Sequence, residues 1–261
     1  MGTFMRFEWR GAAAAAGLIA LVAQGMTNHG MAHAAEVKAF VTGAARGAYE
    51  ELAPQFERAT GHKLMAQYGL PPELIRKIDA GEPFDVIILS YDVEALIKQG
   101  KLAADTRTVL GQSGVGVAIR SGSPKPDFST VESFKRALLN AKTIGTSGEG
   151  SSGRYVLTLL DRLGIADQVK PKIRSGAAGR SAELLAAGEV AFVVSGLPPL
   201  VGIPNIEWLG LIPAELQSFV VFTAGVSTAA KEADAGRALL RFFATPAAVA
   251  VFKAKDIDPA P

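Results

Sequence analysis

What most constrains the fold of this chain is an alternation that recurs along it. Short apolar runs are each followed by a turn of small residues and then by an amphipathic stretch of helical length. Residues 84–89 and 190–194 are near-continuous apolar runs, the pattern of strands covered on both faces in a parallel sheet. Further strands are expected over residues 37–41 and 62–68, with helices over 45–60 and 71–80. The first helix sets Leu52, Phe56 and Ala59 on one stripe and stops at Gly61, a residue suited to the left-handed C′ position. The second begins on proline and ends before Gly81, the usual asymmetry of helix ends. A second series follows, with strands expected over 143–146, 169–173 and 190–194 and helices over 153–163 and 180–187. Residues 112–120 and the Pro/Ser/Gly-rich 121–126 separate the two series, and amphipathic helices over 231–243 and 246–253 close the chain. Strands alternating with helices imply an α/β architecture, and two series imply two lobes. The lobes repeat an architecture, not a sequence.

The N-terminus reads as a leader. Arg6 and Arg10 precede an apolar stretch, residues 11–23, and Ala32-His33-Ala34 has the small-residue form of a cleavage site. A run of about thirteen residues is too short for the roughly twenty that a spanning helix needs. Residues 1–34 are therefore expected to be a signal peptide, leaving a periplasmic chain that does not span a membrane. The chain has no cysteine, which excludes disulfides, thiolate catalysis and Cys-based zinc sites and suits a periplasmic setting. Net charge is +2 with the basic residues dispersed, so no nucleic-acid partner is expected.

In open α/β sheets ligands bind beyond the carboxyl ends of strands, where helix N-termini point. Three strand-to-helix turns made of small residues carry an arginine: Arg46 after Gly43 and Ala44, Arg154 after Ser151, Ser152 and Gly153, and Arg180 after Gly179. Small residues let backbone N–H groups approach an anion, and a guanidinium fork matches a carboxylate in two bonds. These residues, with Pro71, Tyr155 and Ser195, form the candidate ligand site, and each arginine has the alternative of being a solvated surface group.

Glycines 148, 150 and 153 spell G-x-G-x-x-G, but no acidic residue ends the next strand and no Gly-Lys-Ser/Thr follows, so a dinucleotide or P-loop site is not supported. No cofactor is expected. His62 is the one histidine beyond the leader, which argues against a multi-histidine metal site, and no metal is expected. G-x-S-x-G is absent. Tyr155 and His62 remain as catalytic candidates, each with a packing role as its alternative.

The segments "AYEELAPQFERATGHKL", "LIRKIDAGEPFDVIILS" and "GSSGRYVLTLLDRLG" resemble, in order, the periplasmic molybdate-binding protein family, type II solute-binding proteins of ABC importers. The resemblance covers nearly the whole chain beyond the leader. It implies two α/β lobes, each a mostly parallel sheet flanked by helices, joined by two crossing hinge strands. Lobe I would hold residues 35–115 and 221–261, and lobe II residues 116–220. It also implies a monomer, a small anionic ligand in the cleft, and an ABC permease with its ATPase as partners. The pocket departs from the family. Serines expected near Ala44 and near Pro71 or Pro72 are missing, and the family's pocket tyrosine falls near Val194. The family's backbone donors fall on Ser152 and near Gly179. Arginines at or near the same turns favour an oligocarboxylate over a molybdate-like oxyanion. An aconitate isomerase resembling this family gives the alternative, an enzyme on the same fold. Its allylic proton shift needs one general base, with the arginines holding carboxylates.

Overall fold

The computed structural model describes residues 34–175, 180–196, 198–200 and 202–260, with the backbone alone at Arg180 and Pro199. The leader expected over 1–34 therefore lies outside the described residues except for Ala34. The described residues form one compact unit.

The first series forms β1 (Glu36–Thr42), α1 (Arg46–Thr60), β2 (Lys63–Gly69), α2 (Pro71–Asp79), β3 (Val86–Leu89) and α3 (Glu94–Lys98). The long strand β4 (Thr108–Arg120) leads to α4 (Val131–Asn140), β5 (Ile144–Thr146), α5 (Ser151–Arg162), α6 (Ala166–Val169) and β6 (Ile173–Ser175). Next come α7 (Arg180–Ala186), β7 (Phe192–Gly196), β8 (Ile206–Leu211), β9 (Phe219–Val226), α8 (Ala233–Phe243) and α9 (Pro246–Ala254). The strand expected at 169–173 is displaced. Val169 ends α6, Pro171 sits inside a 3-10 turn, and pairing starts only at Ile173. Proline cannot donate to a ladder, and this delays the strand.

The strands order β2-β1-β3-β9-β4-β7-β5-β6, with β8 beside β4. β1 runs parallel to β2 and β3, and β5 runs parallel to β6 and β7. Two antiparallel strands join these groups. Residues 108–114 of β4 pair with β9, while residues 115–120 pair with β7 and β8. These are the two crossing strands of a type II solute-binding fold.

Alternation along the strands builds the cores. In β1, Val37, Ala39 and Val41 face a cluster with Leu52, Phe56, Leu239 and Phe243, while Phe40 faces Leu74, Ile78 and Leu96 on the other side. β3 divides likewise, Val86 and Ile88 against Ile87 and Leu89. Beyond the crossing, Val115, Val117 and Ile119 pack with Phe134, Leu159 and Leu160, and Ala118 and Val193 pack with Leu185 and Leu200. Each fully buried Leu, Ile or Phe contributes about 1.5–3 kcal/mol. With helices packed on the sheet faces, the carboxyl ends of the strands are where a ligand is expected.

Candidate functional site

A cavity of about 40 Å³ opens where those strand ends meet the crossing strands. Thr42 ends β1, Ser90 follows β3, Ser147 follows β5 and Gly196 ends β7; Ser113 of β4 and Val220 and Phe222 of β9 form its floor. The starts of helices supply the rest: Ala44 before α1, Leu70 and Pro71 at α2, and Gly150, Ser151 and Ser152 at α5. Six hydroxyl-bearing residues line it, and no charged side chain does among the described residues.

The hydroxyls are linked. Thr42 Oγ1 lies 3.3 Å from Ser90 Oγ, which lies 2.9 Å from Ser151 Oγ. That second contact joins the end of β3 to the start of α5, across the cavity. Ser147 Oγ lies 2.9 Å from Ser152 Oγ, which lies 3.3 Å from the fully buried Ser195 Oγ. Ser147 Oγ also accepts from the Gly153 N–H at 2.8 Å. The loop is tight. Gly148 takes a φ of 58°, and a Cβ on Gly153 would meet the Gly148 carbonyl oxygen at 2.2 Å. The N-cap of α5, Gly150, gives no side-chain bond, and the N–H groups of Ser151 and Ser152 have no intrahelical acceptor. They are ready anion donors.

Arg46 and Arg154 stand outside the cavity lining. Arg46 stands in the first turn of α1, but its Nε donates to Glu50 at 2.8 Å and its guanidinium lies 4.8 Å from the Tyr68 ring centroid. Its side chain is 59% exposed, so it does not line the cavity. Burial and the Glu50 charge push the Tyr68 hydroxyl up to about 12. The Arg154 guanidinium lies 5.7 Å from the Tyr91 ring and also stays outside the lining. Arg180 opens α7, and Gly179 lies outside the described residues. Gly43 sits between the lining residues Thr42 and Ala44.

Neither catalytic candidate reaches the cavity. His62 Nδ1 accepts from the Ala35 N–H at 3.2 Å, at the entry of β1. The cavity is at the other end of that strand, about 20 Å away at 3.3 Å per residue. The Tyr155 hydroxyl is spent on the Leu216 carbonyl. Sequence reasoning missed Thr42, Ser90, Ser113 and Ser147. For Ser90 and Ser147 the signal was present, a hydroxyl directly after a buried strand. For Ser113 only the crossing of β4 brings it in.

The model of the family described as bacterial extracellular solute-binding protein matches residues 37–255. An aconitate isomerase of a Pseudomonas species is 30% identical over 227 residues, covering 84% of this chain and 86% of that protein. The molybdate-binding protein ModA of Azotobacter vinelandii is 27% identical and covers 92% of each. The solved Azotobacter vinelandii periplasmic molybdate-binding protein superposes with a TM-score of 0.73 at 20% identity, over 86% of this chain and all of that one.

Proposed function

The chain belongs to the bacterial extracellular solute-binding protein family, and on that premise we propose that it captures a small anion in the hydroxyl-lined cavity for an ABC permease. The carrying observation is the lining itself: six hydroxyls and the Ser151 and Ser152 N–H groups at the start of α5, with no charged side chain among the described residues. Neutral donors of this kind stabilise an anion without placing a counter-charge in a buried site, each bond to a charged group contributing about 1.5–3 kcal/mol. The positions of Arg46 and Arg154 weaken the argument for a guanidinium-clamped oligocarboxylate and favour a compact anion or a single carboxylate group. Admitting anything much larger requires the Ser90–Ser151 contact to part, by hinge motion about β4 and β9. In this reading the lobes are residues 35–115 with 221–261, and residues 116–220, and the change of partner along β4 between Gly114 and Val115 supports a division near there. Residues 1–34 serve as the export signal in this reading.

The test is a melting-temperature screen of the purified protein against molybdate, sulfate, phosphate, citrate, tricarballylate and trans-aconitate, followed by calorimetry. A ligand at 100 times its Kd adds about 2.7 kcal/mol of stability. The expected result is a saturable rise with at least one anion. No rise with any of them at millimolar concentration refutes anion capture.

The 30% identity to an aconitate isomerase supports a second reading, turnover of trans-aconitate by an allylic proton shift. Cis-aconitate formed from trans-aconitate, followed by chromatography, establishes it, and its absence removes it.

A further inference from the structure

The floor of the cavity differs chemically from its walls. After α9 the chain turns at Asp256, whose φ of 59° is a left-handed conformation that few side chains adopt. Ile257 is then buried in the first core, and Asp258 exchanges two backbone hydrogen bonds with Gln112 of β4, at 2.7 and 2.8 Å. Gly111 lets the tail lie this close, since a Cβ there would meet the Asp258 carbonyl oxygen at 2.5 Å. The clamp fixes the Asp256 carboxylate behind the cavity, where Oδ2 accepts from Ser113 Oγ at 2.8 Å.

A serine hydroxyl has one proton to give. Ser113 is 3% exposed, and its other acceptor, the Gly114 carbonyl, is 3.5 Å away. With its proton committed to Asp256, Ser113 turns lone pairs toward the cavity. The Ser90–Ser151 and Ser147–Ser152 contacts carry no such fixed direction, because either oxygen in each pair can donate. The cavity is thus a set of adaptable donors with one enforced acceptor. A fully deprotonated oxyanion meets oxygen lone pairs there, whereas a guest that keeps an O–H completes a hydrogen bond. Burial and the neighbouring Asp258 charge push the Asp256 carboxyl up, while the Ser113 bond draws it down.

We propose that Ser113, oriented by Asp256, selects anions that retain a hydroxyl hydrogen over otherwise similar anions that lack one. The chemical class is a hydroxycarboxylate or a hydrogen-bearing inorganic oxyanion. The inference rests on the anion-capture reading and narrows it.

Two matched comparisons test it by calorimetry at pH 7. Citrate and tricarballylate share a skeleton and differ by one hydroxyl; phosphate, which keeps a proton, is set against sulfate, which does not. The protein is expected to bind the hydroxyl-bearing member of at least one pair at least tenfold more tightly, and the pair that responds tells an organic from an inorganic guest. Ser113→Ala and Asp256→Asn are expected to reduce that ratio to below threefold while still binding the hydroxyl-free member. Equal affinities within both pairs, preference for the hydroxyl-free members, or a ratio unchanged in either folded variant overturns the proposal and leaves anion capture standing. Binding of none of the four, nor of molybdate or trans-aconitate, instead refutes anion capture itself. Far-ultraviolet circular dichroism checks folding. If Asp256→Asn does not fold, Ser113→Ala decides, since it leaves the tail's backbone bonds to Gln112 in place.

Discussion

The two walls of the cavity are built from equivalent parts and have opposite character. On the first, Thr42 and Ser90 stand among Ala44, Leu70 and Pro71. Its helix α2 begins Pro71-Pro72, two residues with no N–H to offer, and Glu73 already bonds the Leu70 N–H at 3.4 Å. On the second, Ser147, Gly150, Ser151 and Ser152 gather at the start of α5, where the N–H groups of Ser151 and Ser152 have no intrahelical acceptor. Helix N-termini attract anions only where their donors are present and free. On the anion-capture proposal, the comparison gives recognition to the α5 wall and coverage to the α2 wall.

That assignment breaks most readily at Gly153. Gly153→Ala drives a methyl into the Gly148 backbone, at 2.2 Å from its oxygen and 2.6 Å from its nitrogen. It is expected to cost about 2–3 kcal/mol of stability, read as a fall in melting temperature of roughly 5–10 °C, and to abolish measurable capture of the anion that binds best in the screen. Ser152→Ala is expected to weaken that anion about tenfold by removing one bond to a charged group; an unchanged affinity would move recognition off the α5 wall. Ser90→Ala, on the covering wall, is expected to cost no more than about threefold, the worth of a neutral hydrogen bond. A larger loss at Ser90 than at Ser152 reverses the comparison.

Arg46→Ala is expected to leave affinity within about twofold, since an exposed i,i+4 pair contributes about 0.3–0.5 kcal/mol; a tenfold loss would restore the guanidinium reading. The smallest effect is in pH. Asp256 is raised above its ordinary 3.8 by burial, so the folded state binds more protons there than the unfolded chain, and stability is lost as pH rises from about 3.8 through the folded value. Melting of the wild type relative to Asp256→Asn, measured from pH 3 to 7, should fall over that window.

Much of the fold was legible because it is local. Apolar runs such as 84–89 announce buried strands, and the Gly61 stop and the Pro71 start mark helix ends that the structure keeps. The strand at 169–173 was misread because Val169 packs as the last residue of a helix, with its apolar side chain in the same core a strand would have used. Of the residues expected at the site, Ala44, Pro71, Ser151 and Ser152 do line the cavity. The turns carrying Arg46 and Arg154 do border the cavity; the i,i+4 spacing of Glu50, which claims the first, is local and readable, while Tyr91, beside the second, is brought in only by the fold. Ser113 and Asp256 are separated by 143 residues, and no local pattern joins them.

The first core draws β1, α1 and β3 from the early chain and β9, α8, α9 and Ile257 from its end. A ribosome delivers these pieces in order, so the earliest strands wait for the last helices before their apolar faces are covered. The middle stretch, whose core lies within residues 115–216, can close first. Such long-range pairing slows folding, and it leaves a lengthy interval in which the unfinished polypeptide stays pliant and open to chaperones.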